Sequence, residues 1–180
     1  WKDFIACAEY LIAKGYTSPA HLAGESGSAG GILIGRAIEE RPDLFAAAVA
    51  DVPAADMLRQ ETTANGVPNI GEFGSTATED GFRGLYAMSP YANVTDGVNY
   101  PAVLVTTGIN DPRVDPWEPA KFAARLQAAT ASGKPVLLHV DYHAGHGVTS
   151  TNEQRLEAVA DTWSFILWQT GDPEFQPRKR

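Results

Sequence analysis

From Phe45 to Val52 the chain reads Phe-Ala-Ala-Ala-Val-Ala-Asp-Val, an apolar run broken only by Asp51 and closed by Pro53. Such a run has no wet face. It is short for a helix and has the form of a strand buried on both sides, which is the habit of a parallel sheet with helices packed above and below it. Three further segments read as strands: His21 to Gly24, Ala102 to Thr107 and Val136 to Val140. Between and around them lie stretches of helical period. Asp3 to Lys14 places Phe4, Ile5, Ala8, Leu11 and Ile12 on one face, with Cys7 on that apolar side, and Gly15 suits a left-handed cap. Ala29 to Glu40 carries Ile32, Leu33, Ile34, Ala37 and Ile38, and Arg41-Pro42 stops it. Pro116 to Ala131 and Asn152 to Gln169 repeat the pattern, the latter through Leu156, Val159, Trp163, Ile166 and Leu167. Strands alternating with helices predict an α/β fold, a mainly parallel sheet with helices on both faces. With 180 residues, 44% of them hydrophobic, the chain can bury one real core, so residues 1–180 are expected to form a single domain. Ala54 to Pro90 is less regular; glycines interrupt it, and only Asp56 to Thr62 and Thr78 to Leu85 suggest short helices. It reads as an excursion over the sheet edge that could wall a pocket.

The first strand runs into Glu25-Ser26-Gly27-Ser28-Ala29-Gly30-Gly31, a glycine-lined turn that opens a helix. A serine at a strained strand-to-helix turn needs small residues two before and two after it, so that the backbone can cross itself without clash. Around Ser28 those residues are Ser26 and Gly30; glycine is usual at both, and Ser26 is a small departure. A frame centred on Ser26 would leave Ala29-Gly30-Gly31 unexplained, so Ser28 is the candidate nucleophile. The same residues would also serve a plain helix start, with Ser28 capping backbone amides.

In open α/β sheets functional groups gather at the carboxyl ends of the strands. There the sequence offers Ser28 after the first strand, Asp111 just beyond Ala102 to Thr107, and His146 beyond Val136 to Val140. The order Ser, Asp, His is that of the α/β-hydrolases. A serine hydroxyl is a weak nucleophile at neutral pH, so an imidazole must take its proton and a carboxylate must hold that imidazole. His143 lies on the same loop as His146 and is its rival, although Gly145 and Gly147 favour His146. Asp115 is not separated from Asp111 by spacing and could equally cap the following helix. Asp51 comes too early for this order; His139, within a strand, and His21, at a strand start, read as structural. A metal site on His143 and His146 lacks a third ligand.

The net charge is −8, from 14 basic and 22 acidic residues, which argues against nucleic acid or an anionic membrane as partner. The one basic run, Arg178-Lys179-Arg180, reads as a solvated tail. Cys7 is the single cysteine, so no intramolecular disulfide can form. No apolar run approaches the ~20 residues that span a bilayer. The chain begins at Trp1, without a methionine, and enters a helical pattern at once, as expected of a segment of something longer. Compartment is left open, cytoplasmic or periplasmic.

Taken together, Ser26-Gly27-Ser28-Ala29-Gly30-Gly31, Arg41-Pro42-Asp43-Leu44-Phe45, Asp56-Met57-Leu58, Tyr100-Pro101, Asp111-Pro112-Arg113-Val114 and Ala144-Gly145-His146-Gly147 resemble, in order, the catalytic domain of prolyl oligopeptidase-family serine peptidases. Ala8-Glu9-Tyr10-Leu11 and Gly15-Tyr16-Thr17-Ser18-Pro19 match as well, so the resemblance covers nearly the whole chain. It implies an α/β-hydrolase fold lacking its N-terminal strands, without the family's β-propeller and without the early tyrosine that supplies the second oxyanion donor. It also implies Ser28, Asp111 and His146 as the triad, the Ala29 N–H as half of the oxyanion hole, and Arg113 as the donor to a substrate carbonyl. Asn69 stands where prolyl oligopeptidase proper has a tryptophan that stacks on the substrate proline, a departure that bears on how strictly proline is preferred. The activity expected is hydrolysis of oligopeptides through an acyl-enzyme, with preference near proline and no metal or organic cofactor. A carboxylesterase on the same fold and a silent hydrolase-fold binding module are the alternatives. An exposed sheet edge gives self-association as a further expectation.

Overall fold

A computed structural model describes residues 1–147 and 151–177. The basic run at 178–180 lies outside the described residues. The elements are α1 (Lys2–Ala13), β1 (Ala23–Gly27), α2 (Gly30–Glu40), β2 (Ala47–Asp51), α3 (Ile70–Phe73), α4 (Glu79–Met88), α5 (Pro90–Asn93), β3 (Ala102–Gly108), α6 (Trp117–Ala129), β4 (Val136–Asp141) and α7 (Asn152–Gln169). The strands form one sheet in the order β1-β2-β3-β4, every pair parallel. With α1, α2 and α6 packed on one face and α7 on the other, this is the parallel α/β sheet expected from the sequence.

The apolar run becomes the interior strand β2, and its two faces enter different cores. Ala48 and Ala50 pack with Ile5 and Ala8 of α1, Ile34 and Ile38 of α2, and Phe122 and Leu126 of α6. Ala47 and Val49 pack with Phe165 and Ile166 of α7. Burying each such large side chain contributes about 1.5–3 kcal/mol, which is why a strand with no polar face is stable only here. A third cluster, Ala54, Met57, Leu85 and Val114, joins the long excursion after β2 to the segment that precedes α6.

Four local expectations are corrected. The first strand begins at Ala23 and runs to Gly27, because its register with β2 continues to Gly27 opposite Asp51; His21 falls in the turn before it and its Nδ1 lies 3.1 Å from the Thr170 carbonyl. Asp56 to Thr62 is not a helix: only Gln60–Thr62 forms a 3-10 turn, and before it the amides of Ala55, Asp56 and Met57 are taken by side chains of Glu118 and Ser89. Cys7 is exposed, two residues past Ile5 and so on the opposite side of α1 from the buried Ile5 and Ala8. In α7 only the second half, around Phe165 and Ile166, reaches the sheet, and Leu156, Val159 and Trp163 are exposed.

One buried pair gives the fold a pH dependence. Arg36 and Glu39 pair along α2, with the Arg36 guanidinium lying over the Trp1 ring, yet Glu39 Oε1 and Arg36 Nε are buried without a hydrogen-bond partner. Burial outweighs the Arg36 contact and pushes the Glu39 carboxyl up to about 8. The folded state therefore keeps a proton that the unfolded chain releases near its ordinary value, so stability is fully present below that value and is lost as pH rises toward 8. Between pH 5 and 8 the loss is expected to be roughly 2–4 kcal/mol, read as a falling thermal midpoint. Glu39→Gln should flatten that slope; an unchanged slope would show that Glu39 titrates normally.

Candidate active site

β1 ends in a backbone reversal. The Ser28 N–H donates to the Asp51 carbonyl at 2.9 Å, extending the β1–β2 ladder by one bond, and Ser28 itself then adopts φ +56. A positive φ is uncommon for a residue with a side chain and turns the chain abruptly into α2. The Ser28 carbonyl accepts from the N–H groups of Gly31 at 2.8 Å and Ala54 at 2.9 Å, which fixes the turn from both sides. The crossing of the backbone leaves no spare room. A Cβ on Gly30 would meet Ser26 Oγ at 2.0 Å, and one on Gly31 would meet Pro53 Cβ at 2.4 Å. Ser26 is thus tolerated where glycine is usual because Gly30 gives up the volume that its hydroxyl occupies.

β3 and β4 deliver the other two groups. Just past β3, Asp111 is buried, its side chain 0% exposed, and its Oδ1 accepts the N–H groups of Arg113 at 2.8 Å and Val114 at 3.0 Å. Those bonds leave Oδ2 aimed at His146 Nδ1, 2.7 Å away. His146 Nε2 lies 2.8 Å from Ser28 Oγ. When Nδ1 carries the proton and donates it to Asp111, Nε2 is the acceptor for the serine hydroxyl, which is the arrangement proton abstraction needs. His146 is 6% exposed at its side chain, so the chain of hydrogen bonds is shielded from water.

The remaining candidates are distributed as follows. Ala29 caps α2, and the first N–H groups of a helix have no intrahelical acceptor, so its amide is available beside Ser28. Arg113 is exposed, and among the described residues its guanidinium makes no ion pair. The Asn69 side-chain amide donates to the Asn65 carbonyl at 3.0 Å, and the Asn65 side-chain amide in turn donates to the Arg113 carbonyl at 3.4 Å. His143 is exposed, with its backbone N–H on Asp141, and it is His146 that meets Ser28. Asp115 does not cap α6 with its side chain; its carbonyl accepts the Glu118 N–H instead. Asp51 accepts the Thr106 hydroxyl, and His139 Nδ1 sits 3.5 Å from Asp161 on the sheet's outer strand. Among the described residues no group of three or more His, Cys, Asp or Glu side chains could hold a metal ion, and no helix is long and apolar enough to cross a membrane.

Sequence reasoning passes over Gly108, the last residue of β3. A Cβ there would lie 2.3 Å from the Gly145 carbonyl oxygen and 2.5 Å from that of Ala144. The loops that carry Asp111 and His146 can approach only because this residue has no side chain. No local signal marks such a glycine, since the atoms it accommodates come from the loop after the next strand.

Comparison with known proteins follows the same lines. The model of the prolyl oligopeptidase family matches residues 1–173. The prolyl endopeptidase of Elizabethkingia miricola is 38% identical over 172 residues, covering 95% of this chain and 24% of that protein. A solved prolyl endopeptidase superposes with a TM-score of 0.90 at 37% identity, over 97% of this chain and 25% of the other. Oligopeptidase B from Leishmania major superposes with a TM-score of 0.89 at 32% identity, over 93% and 24%. The chain thus spans about a quarter of the length of the proteins it matches.

Proposed function

The chain belongs to the prolyl oligopeptidase family, and from that membership we propose that it is the catalytic unit of a serine peptidase that cleaves oligopeptides, with preference near proline, through an acyl-enzyme. The observation that carries this is the continuous contact from Ser28 Oγ to His146 Nε2 at 2.8 Å and from His146 Nδ1 to Asp111 Oδ2 at 2.7 Å. In the first step the Ser28 hydroxyl gives its proton to His146 Nε2 as Oγ bonds to the scissile carbonyl carbon. The carbonyl oxygen becomes an oxyanion beside the Ala29 N–H, a fixed donor that meets charge formed only in the transition state. The imidazolium, held by Asp111, then returns the proton to the departing amine as the C–N bond breaks. Water repeats the sequence on the ester and releases the acid. Arg113, free of an ion pair among the described residues, is the donor assigned to a substrate carbonyl.

The test is labelling followed by turnover. After incubation with a fluorophosphonate, intact mass should rise by one adduct, and peptide mapping should place it on Ser28. The unlabelled chain should hydrolyse a fluorogenic peptide with proline on the acyl side faster than its alanine counterpart or a simple ester, and labelling should abolish that turnover. An adduct on another serine would overturn the nucleophile, and faster turnover of the simple ester would favour a carboxylesterase.

A further inference from the structure

The turn at Ser28 is held from behind by a segment that has no regular structure of its own. Ala54, whose N–H binds the Ser28 carbonyl, begins a stretch to Met57 that is buried throughout. Its amides need acceptors, and side chains supply them. Ala55 N–H and Asp56 N–H both donate to Glu118 Oε2, at 3.2 and 3.1 Å, while Met57 N–H donates to Ser89 Oγ at 3.2 Å. Glu118 is 2% exposed and stands in the first turn of α6, directly after the segment whose Arg113 and Val114 amides hold Asp111. One buried carboxylate therefore ties the support of the nucleophile to the segment that carries the acid.

We propose that Glu118 is a positioning residue for the acyl transfer assigned to Ser28, setting the separation of the Ser28 turn from the Asp111 segment through the Ala55 and Asp56 amides. The proposal rests on the reading of Ser28 as nucleophile. Burying a carboxylate is costly unless its bonds repay it, and two amide donors on one oxygen are such bonds. The charged groups around it are Asp56, Asp115 and Lys121. Both acids oppose its ionisation, whereas Lys121 is already engaged, with Nζ 2.6 Å from Asp56 Oδ2 and over the Tyr91 and Trp117 rings. Burial, with those acids, pushes the Glu118 carboxyl up to about 7. Protonation weakens its acceptance of the two amides, so the support of Ser28 loosens as pH falls through neutrality.

The experiment measures the second-order rate of Ser28 labelling by a fluorophosphonate between pH 5.5 and 8.5, with thermal unfolding, for the unsubstituted chain, Glu118→Ala and Glu118→Gln. At pH 8, Glu118→Ala should label about tenfold or more slowly while still unfolding cooperatively. Glu118→Gln, which keeps the acceptor oxygen, should recover the rate to within about threefold. It should also lose one ionisation from the acid limb of the labelling profile. Labelling of Glu118→Ala at the unsubstituted rate would overturn the proposal. If that variant does not fold, a Glu118→Gln profile superimposable on the unsubstituted one would do the same. Absence of labelling in the unsubstituted chain would overturn both the assignment of Ser28 and, with it, this role for Glu118.

Discussion

Replacing His146 with alanine is expected to slow acylation of Ser28 by about 10⁴-fold or more, with the fold retained. The reason is in the geometry. Ser28 Oγ has one basic partner, His146 Nε2 at 2.8 Å, and without it the hydroxyl must lose its proton to water while attacking. The imidazole belongs to neither large core cluster, but its removal leaves the buried Asp111 Oδ2 unpaired, so the thermal midpoint should fall while unfolding stays cooperative. Asp111→Asn should give a loss of similar order by a different route. The amide can offer Nδ2 to His146 Nδ1, which stabilises the wrong tautomer and makes Nε2 a donor. The measurement is the fluorophosphonate rate by intact mass, with Ser28→Ala as the chain that forms no adduct. A His146→Ala variant that labels within tenfold of the original would reject His146 as the base and return attention to His143, its neighbour on the loop.

Gly108→Ala should damage the fold and the site together. The added Cβ would meet the carbonyl oxygens of Gly145 and Ala144 at 2.3 and 2.5 Å, and neither is a side chain that can swing aside. Relief requires the loop bearing His146 to move away from the end of β3, against the bonds from Ile109 N–H to the Asp141 carbonyl and from Asn110 N–H to the Ala144 carbonyl. Overpacking of this kind costs about 1–3 kcal/mol. Because the loop that moves carries His146, the proposed base, a shift near 1 Å should also cost about 10²-fold in reactivity. Thermal unfolding and labelling measured together separate the two effects. A lower midpoint with an unchanged rate would mean that the loop yields without displacing His146.

Much of the architecture was legible because it follows from period and burial. The apolar run from Phe45 to Val52 has to be an interior strand, and it is one, although the paired ladder is the shorter Ala47–Asp51. The helices with a clear apolar stripe lie where their spacing puts them, and Asn152–Gln169 has its expected bounds. Where expectation failed, the deciding atoms were distant in sequence. Asp56 to Thr62 has helical composition, but its entry is fixed by Glu118, more than sixty residues away, which accepts the amides of Ala55 and Asp56 and holds the segment extended there. Leu156, Val159 and Trp163 have the spacing of a buried stripe, yet they face solvent because the sheet ends beneath the other half of their helix.

For the site, the sequence by itself determined residue types, chain order and the strand ends from which Ser28, Asp111 and His146 emerge, because glycine-lined turns and strand period are local properties. Tertiary structure alone decided that His146, and not His143, meets Ser28, that Asp111 is clamped by its own loop amides, and that Gly108 must lack a side chain. It also decided that a buried glutamate on α6 accepts the amides of Ala55 and Asp56, next to the residue that bonds the Ser28 carbonyl. These depend on distances across neighbouring strands and between segments far apart in the chain, which exist only once the parallel sheet has set its register.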